Sequence, residues 1–509
     1  MSTASIVLDS AFTIGPVPHR LFGSFVEHMG RCVYTGIYEP GHPTADGRGF
    51  RGDVAALTRE IGPTLIRYPG GNFVSSFRWE DSVGPEADRP SRLDLAWHSV
   101  ETNHFGLHEF VDWAQAVGTE VMMAVNLGTR GLQEACELIE YTNHPAGTYW
   151  SDRRVSNGAP EPFDIKLWCL GNEMDGPWQV GHKTAIEYGR LANETGKAMR
   201  LIDGEIELVA CGSSGSHMPT FGAWEQTVLE LCYDTIDYVS LHAYYEEKDD
   251  DAASFLASAL NMDHFIESVV ATSDAVGAKL KRRKKLNLSF DEWNVWYMRR
   301  FSGDGPKPRE VEWQTHPRLI EDEYTMTDAV VVGTLLNSLL RHGDRVTIAC
   351  QAQLVNVIGL LRSEPAGDAW KQITAYPFEQ MRRLAQGQII EVVGQSDRYD
   401  SPSYTDVPLV DTSATYDAET GRTAVFVAHR GLSESATFIA DVRGIGGRRV
   451  AGATTLQAHG SQDRHVTNLE RHDAVTPQVF DACELIDGQL RATLPPLSWT
   501  VFELEASRA

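Results

Sequence analysis

The sequence predicts a (β/α)8 barrel followed by an antiparallel β-sandwich, and two observations support this fold class. Up to residue 385, eight short apolar runs alternate with helical patterns, as expected of parallel strands that are buried on both faces. From residue 386 onward, short alternating segments are separated by Gly, Ser, Asp and Pro clusters, which is typical of antiparallel sheets. A doubly wound open sheet competes for the first part, but the count of eight strands and the chain length favour the barrel.

The predicted strands are short and recur along the chain. They cover 21–27, 64–68, 120–126, 164–170, 206–211, 236–242, 286–291 and 345–350. Helical patterns fall between them, most clearly at 107–117, 184–202 and 322–341. The segment 302–317 after the seventh strand is rich in Pro, Gly and charged residues, so we predict a long loop there.

Two domains are the expected organisation. We place the catalytic barrel at 16–385 and the β-sandwich at 386–509, with residues 1–15 adding a strand to the sandwich. The segments 423–428 and 437–441 have the alternation of sandwich strands. A length of 509 residues suggests roughly three average domains, but barrels often run longer, so two domains fit as well.

Composition excludes several partners. Lys and Arg total 45 and Asp and Glu total 70, and the resulting net charge of −25 argues against nucleic acid or an anionic membrane surface. The chain starts without a basic and apolar leader, and no apolar run approaches the ~18 residues of a membrane span. Seven scattered cysteines without a C-x-x-C pair are typical of free thiols, so we expect a cytoplasmic protein.

No cofactor or metal is expected from the motifs. The spacing G-x-G-x-x-G occurs once, at 47–52, but in a charged loop rather than after a strand, so we reject a dinucleotide site. Neither a phosphate-binding G-x-x-x-x-G-K-[ST] loop nor a zinc-binding H-E-x-x-H helix is present.

Two glutamates at predicted strand ends are the candidate catalytic residues. Glu173 closes the run Gly171-Asn172-Glu173 after the fourth strand, and Glu292 follows the seventh. Catalytic groups of barrels lie at the carboxyl ends of strands. Two such carboxyl groups suit glycoside hydrolysis, in which one protonates the leaving oxygen and the other attacks the anomeric carbon if they lie ~5–5.5 Å apart. Either one alone is equally well explained as a structural carboxylate, whereas the pair favours catalysis.

The ends of the first two strands add polar candidates. Arg67 and Asn72 flank a Gly-Gly turn, and we predict that they point into the pocket as a carboxylate partner and a hydroxyl binder. Glu27 ends the first strand, where an ion pair with Arg67 is its simplest structural role and does not exclude contact with substrate.

Further candidates follow later strands. His242 and Tyr244 end the sixth strand, and Gln353 follows the eighth, where it is placed to hydrogen-bond a sugar hydroxyl. Trp97 and Trp296 are candidate sugar-stacking aromatics, although Trp is by default a core residue.

At this point a set of motifs matches a known family. The motifs are Phe25-Val26-Glu27-His28, Arg67-Tyr68-Pro69-Gly70-Gly71-Asn72, Glu101-Thr102-Asn103, Gly171-Asn172-Glu173-Met174-Asp175-Gly176-Pro177-Trp178 and Phe290-Asp291-Glu292-Trp293-Asn294-Val295-Trp296. Together they resemble the intracellular α-L-arabinofuranosidases of glycoside hydrolase family 51, over nearly the whole chain. The resemblance implies a barrel with a jelly-roll type sandwich, a retaining mechanism and a homo-oligomer, commonly a hexamer.

The resemblance also implies residue roles. Glu173 would be the acid/base and Glu292 the nucleophile. Binding of the arabinofuranosyl ring would fall to Glu27, Asn72, Asn172, Tyr244 and Gln353. His242 and Arg67 would support the nucleophile. His104 departs from the pattern, since an acidic residue is expected there, and it would affect only the aglycone contacts.

We therefore expect a cytoplasmic, exo-acting enzyme that removes terminal arabinofuranosyl units from arabino- and arabinoxylo-oligosaccharides. The alternatives are a related barrel glycosidase of other specificity, such as a β-xylosidase or endoglucanase, and a non-catalytic carbohydrate-binding protein. The sequence does not distinguish the linkage that is cleaved.

Overall fold

A computed structural model describes residues 2–302, 312–458 and 463–506 of the chain. Most of the predicted loop 302–317, namely 303–311, lies outside the described residues. The same holds for 459–462 and 507–509 of the predicted sandwich.

Eight parallel strands form a closed barrel, which confirms the predicted fold class. In chain order the barrel strands are Arg20–Phe25, Leu65–Tyr68, Glu120–Val125, Leu167–Leu170, Glu207–Ala210, Tyr238–Tyr245, Asn287–Val295 and Val346–Gln351. Each pairs with its neighbours in sequence, and the eighth pairs with the first. Below, they are called the first to the eighth barrel strand.

Helices follow the strands around the barrel. The α-helices are Gly52–Ile61, Leu107–Val117, Leu132–Asn143, Tyr149–Ser156, Ala185–Ile202, Ala223–Cys232, Ala252–Leu256, Ala259–Lys279, Met298–Ser302, Met326–Arg341 and Ala375–Leu384. Short 3₁₀ helices at Asn72–Ser76, Trp79–Ser82 and Glu86–Asp88 and a hairpin of Arg92–Asp94 and Ser99–Glu101 fill the connection after the second strand. The described helices include none long and apolar enough to cross a membrane.

The sixth and seventh barrel strands extend past their predicted ends. The sequence prediction stopped at residues 242 and 291, where polar side chains begin, but the strands continue to Tyr245 and Val295. Polar residues at these ends stay in the strands because their side chains find partners inside the barrel; Asn294, for example, donates to the backbone oxygen of Ile358 over 2.8 Å.

The seventh strand carries one extra residue at the point where the candidate Glu292 lies. Ser240 of the sixth strand pairs with Ser289, and His242 pairs with Glu292. The chain therefore advances by two residues on the sixth strand and by three on the seventh between these pairs. The register shifts on the other side as well, between Phe290 and Trp293. Such a bulge re-aims side chains that would otherwise alternate between the two faces of the strand.

Two facing sheets enclose the core of the described C-terminal part, and a short pair of Arg398–Tyr399 with Val407–Pro408 lies beside them in sequence. One has seven strands in the order Thr13–Pro16, Gln388–Ile390, Val410–Asp417, Arg422–His429, Ser498–Ala506, Gly447–Leu456 and Gln478–Val479. The other has five, in the order Val393–Ser396, Ser2–Asp9, Ala436–Gly444, Gln489–Leu494 and Cys483–Ile486. The rings of Phe438 and Phe502 stack at 5.9 Å in the core between the two sheets.

Both N-terminal strands join these sheets. Ser2–Asp9 pairs in parallel with Ala436–Gly444, so the sandwich, which was predicted to be antiparallel, includes a parallel pair of strands. Ala4, Ile6 and Leu8 face the core, and the residues between them are exposed, which is the alternation of a strand with one solvated face.

Candidate active site

The two predicted catalytic carboxyl groups meet at the carboxyl ends of the barrel strands. Glu173 follows the fourth strand and Glu292 lies in the seventh, and they are 8% and 6% exposed. An oxygen of Glu173, an oxygen of Glu292 and a ring nitrogen of His242 all lie within 4.8 Å of one another. A gap of 119 residues in sequence is thus closed by the barrel topology.

Glu292 is held on both of its oxygens. Arg67 Nη1 donates to Oε1 over 2.7 Å, and the hydroxyl of Tyr244 donates to Oε2 over 2.7 Å. Burial is the largest influence and raises the pKa of Glu292, while the charges of His242 and Arg67 oppose it. The carboxylate therefore has a fixed direction and two charged neighbours that favour its ionised form.

His242 connects the two glutamates to a third carboxylate. Its Nδ1 lies 2.9 Å from Glu173 Oε1 and 3.6 Å from Glu292 Oε2, and its Nε2 lies 3.1 Å from Asp291 Oδ1. Burial opposes the charge on this imidazole, but the carboxylates outweigh burial and raise the pKa of His242 to about 10. The ring is therefore an imidazolium that donates from both nitrogens.

The contacts of the His242 ring argue against a metal ion in the cluster. Glu173, His242 and Glu292 each offer an atom of a type that binds metals. A histidine binds a metal through a ring nitrogen that carries a lone pair, and both nitrogens of His242 face carboxylates. The three side chains fit an ion-pair network better than a metal site.

Asn172 lies between the candidate acid and the second strand. Its Oδ1 accepts a hydrogen bond from Arg67 Nη2 over 2.7 Å, and its Nδ2 donates to Asn72 Oδ1 over 3.2 Å. The three predicted polar residues thus form one chain of contacts, with Arg67 joining Asn172 to Glu292.

Glu27 is buried in a separate set of donors. It accepts from Phe73 N over 3.0 Å, from Trp97 Nε1 over 2.8 Å and from Gln353 Nε2 over 3.0 Å. Burial, followed by the charge of Glu292, raises the pKa of Glu27 to about 8.

The predicted ion pair of Glu27 with Arg67 is wrong. Arg67 instead pairs with Glu292 and lies 3.7 Å from Asp291. The reason is position: Arg67 lies within the second strand and its guanidinium extends across the barrel, whereas Glu27 lies two residues beyond the first strand.

The two predicted aromatic residues lie at the site and are half-buried. Trp97 presents its indole N–H to Glu27, and Trp296 packs edge-on against Tyr244 at 5.1 Å. Each tryptophan therefore contacts a residue of the polar site while staying partly exposed.

Two glycines allow these side chains to approach the backbone. A Cβ at Gly71 would lie 2.8 Å from Glu292 Oε1 and 3.4 Å from Glu27 Oε2, and one at Gly70 would lie 2.8 Å from Glu27 Cγ. The Gly-Gly turn is thus required for space, since any side chain there would displace both carboxylates.

Sequence reasoning missed two residues of the site. Asp291 contacts His242, and Trp178 donates its indole N–H to Glu173 Oε2 over 2.7 Å. Both lie in the quoted motifs, but adjacent residues of a regular strand face opposite sides, so Asp291 beside Glu292 gave no signal. Trp178 could have been identified as a candidate because it follows the candidate acid Glu173 by only five residues.

Two buried carboxyl groups that face one another at the open end of a barrel, ringed by amides and tryptophans, define a glycoside hydrolase. An intracellular exo-α-(1→5)-L-arabinofuranosidase of Streptomyces lividans is 54% identical over 98% of this chain and 75% of its own length. An exo-α-(1→6)-L-arabinofuranosidase of Bifidobacterium longum is 48% identical over 99% and 98%. The chain belongs to the family 51 α-L-arabinofuranosidases.

Family models and a solved structure agree with this assignment. The α-L-arabinofuranosidase 1 domain matches residues 57–263, and the α-L-arabinofuranosidase C-terminal domain matches 291–498. The structure of AbfB, a family 51 α-L-arabinofuranosidase from Bifidobacterium longum, superposes with a TM-score of 0.94 at 46% identity, covering 99% of each chain.

Proposed function

We propose that this protein hydrolyses terminal, non-reducing α-L-arabinofuranosyl residues of arabino- and arabinoxylo-oligosaccharides with retention of configuration. The observation that carries the mechanism is the approach of Glu173 and Glu292 oxygens to within 4.8 Å. Retaining pairs lie ~5–5.5 Å apart, whereas inverting pairs leave ~6.5–9.5 Å for a water molecule. The names and the identity of the two relatives support the sugar.

In the first step, Glu292 attacks the anomeric carbon while Glu173 gives its proton to the glycosidic oxygen. The bond from carbon to the leaving oxygen breaks as the bond from carbon to Glu292 forms. In the second step, Glu173 takes a proton from water, whose oxygen replaces Glu292 at the same carbon. Arg67 and Tyr244 support this role of Glu292 because they fix both of its oxygens.

The arabinofuranosyl ring is assigned to the polar side chains around this pair. We assign hydroxyl contacts to Glu27, Asn72, Asn172, Tyr244 and Gln353, and the flanks of the pocket to Trp97 and Trp296. Asn172 directly precedes the proposed acid/base, and we assign it a hydrogen bond to the 2-hydroxyl, a contact that strengthens in the transition state. His242 and Arg67 act as supporting residues.

The α-(1→5) linkage is our proposed natural target. The Streptomyces relative, named for this linkage, is more similar to the chain than the Bifidobacterium relative named for α-(1→6). Rates on α-(1→5)-, α-(1→6)- and α-(1→3)-linked arabinobiosides test this, and the highest kcat/KM on the α-(1→6) disaccharide would contradict it. The Streptomyces relative is named as intracellular, which supports a cytoplasmic location. Light scattering of the purified protein tests the proposed hexamer.

Two variants test the catalytic roles. Glu292→Ala should lose activity on the order of 10⁴-fold or more on every substrate, because no nucleophile remains. Glu173→Ala should lose on the order of 10²- to 10⁴-fold on oligosaccharides but far less on dinitrophenyl arabinofuranoside, whose leaving group departs without a proton.

The control is Glu434→Ala, which removes an exposed carboxylate of the C-terminal part and should leave both rates unchanged. Equal losses for Glu173→Ala on both substrate types would contradict the acid/base role. A preference of the parent enzyme for nitrophenyl β-D-xyloside or β-D-glucoside over the α-L-arabinofuranoside would contradict the assigned sugar.

A further inference from the structure

Trp178 contacts the proposed acid/base from the solvent side. Its Nε1 donates to Glu173 Oε2 over 2.7 Å, although the residue is 50% exposed. The other oxygen, Oε1, faces Nδ1 of His242 at 2.9 Å on the barrel side. Each oxygen of Glu173 therefore accepts a hydrogen bond from a different wall of the site.

An indole N–H only donates, so it favours the ionised form of its partner. Glu173 must be protonated in the first step of the proposed reaction and ionised in the second. Oε1 is enclosed against His242, which leaves Oε2 as the oxygen that faces an incoming leaving group. The indole N–H and the glycosidic oxygen of a substrate then compete for Oε2.

The turn 173–179 is built to hold the indole against the carboxylate. Gly176 N donates to Glu173 O over 2.9 Å, and Gln179 Nε2 donates to Asn172 O over 2.6 Å. A Cβ at Gly176 would lie 2.6 Å from Trp178 Cε2, so only glycine lets the ring lie this close to the turn. Glu173 itself has φ of +45°, a left-handed conformation that this closed turn maintains.

We propose that Trp178 is a positioning residue whose N–H stabilises ionised Glu173 between the two steps and yields Oε2 to the leaving-group oxygen when substrate binds. This inference rests on the proposed role of Glu173. In the first step, the proton on Oε2 passes to the glycosidic oxygen as its bond to the anomeric carbon breaks, and the indole then donates again to the carboxylate. In the second step, that carboxylate takes a proton from the attacking water.

Other titratable groups also face Glu173, and they stay in place in the test. They are His242 and Tyr244 from the sixth strand, Glu292 from the seventh and Asp175 in its own turn. Trp178→Phe changes none of them and adds no ionisable group, so a change in its pH profile reports the loss of the indole N–H.

The experiment compares Trp178→Phe with Trp178→His. Phenylalanine has no N–H, whereas the imidazole Nε2 of histidine occupies the ring position that corresponds to indole Nε1. The pH profile of kcat/KM is measured for nitrophenyl arabinofuranoside and for an arabino-oligosaccharide. In Trp178→Phe, the basic limb should move to higher pH by about one unit, because an ionised partner loses a hydrogen bond.

Trp178→His should restore at least half of that shift, and Trp150→Phe, a half-buried tryptophan outside the site, should leave the profile unchanged. An unmoved basic limb in folded Trp178→Phe, or equal shifts in the Phe and His variants, would overturn the inference. In that case Glu173→Ala still decides the proposed function, because its loss depends on the leaving group whether or not the indole matters.

Discussion

At His242, three carboxylates decide the protonation state of one imidazole. Glu173 and Asp291 accept from its two nitrogens, and Glu292 lies 3.6 Å away. Together they outweigh burial and raise the pKa of His242 to about 10, above its ordinary value of 6.5. The charge of Arg67, and then the hydrogen bond and charge of His242, in turn hold the pKa of Asp291 low against its burial.

This charge gives the protein a specific dependence of stability on pH. Because the folded pKa of His242 is raised, its contribution is complete below pH 6.5 and is lost as pH rises toward 10. We predict that the parent protein loses about 1–3 kcal/mol of unfolding free energy between pH 7 and 10 that His242→Asn does not lose. Urea unfolding of both proteins at each pH measures this, and parallel curves would contradict it.

The residue identities at the site were predictable, but their pairings were not. Glu173 and Glu292 stood out because each ends an apolar run in a polar motif. The predicted Glu27–Arg67 pair was wrong because the sequence does not tell how far the guanidinium of Arg67 reaches across the barrel, where it pairs with Glu292.

The seventh barrel strand is the element that places two carboxylates, Asp291 and Glu292, at the site. Its extra residue lets Asp291 and Glu292, adjacent in sequence, both contact groups of the site: Asp291 meets His242, and Glu292 meets Arg67 and Tyr244. A regular strand would turn one of them away. Opposite this strand, the turn at Gly70 and Gly71 gives the carboxylates room.

Gly71→Ala tests the need for that room. The new methyl group would lie 2.8 Å from Glu292 Oε1, so we predict a loss of kcat/KM on the order of 10²-fold from misplacement of the carboxylate. Nitrophenyl arabinofuranoside kinetics and thermal unfolding measure the effect on activity and on folding.

Gly47→Ala is the matched control, since no atom lies within 4 Å of its added Cβ, and its activity should equal that of the parent. Full activity of folded Gly71→Ala would show that Glu292 tolerates displacement, contrary to this prediction.

For the whole molecule, the helix Met326–Arg341 joins the barrel to the C-terminal sheets. It begins at 326 rather than at the predicted 322, because Thr325 and Asp328 form a capping box. Residues 326–340 are all buried, and the packing at Gly333 is so tight that a Cβ would lie 2.4 Å from the Trp499 ring. Arg341 completes the contact with an ion pair to Asp411 at 2.9 Å.

This helix leads us to predict that the barrel does not fold well alone. Truncation after residue 385, at the proposed domain boundary, would expose the helix face that contacts Trp499. It would also remove the residues of the C-terminal sheets that pack against Ile6 and Leu8. We expect aggregation or loss of cooperative unfolding, measured by light scattering and circular dichroism. A monodisperse, active fragment would contradict the prediction and favour independent domains.

The sequence by itself determined the class of fold, the family and the residues around which the site is built. Strands of a parallel sheet are buried on both faces and therefore have apolar sequences, and the motifs at the strand ends are specific to the family. Only the tertiary structure decided which carboxylate meets which donor, that Trp178 lies on Glu173, and that the strand Ser2–Asp9 pairs in parallel with Ala436–Gly444. Some of those contacts join residues far apart in the chain, and others lie within one short turn. Their geometry depends on the bulge in the seventh strand and on glycine turns, and these bring side chains together only when the barrel closes.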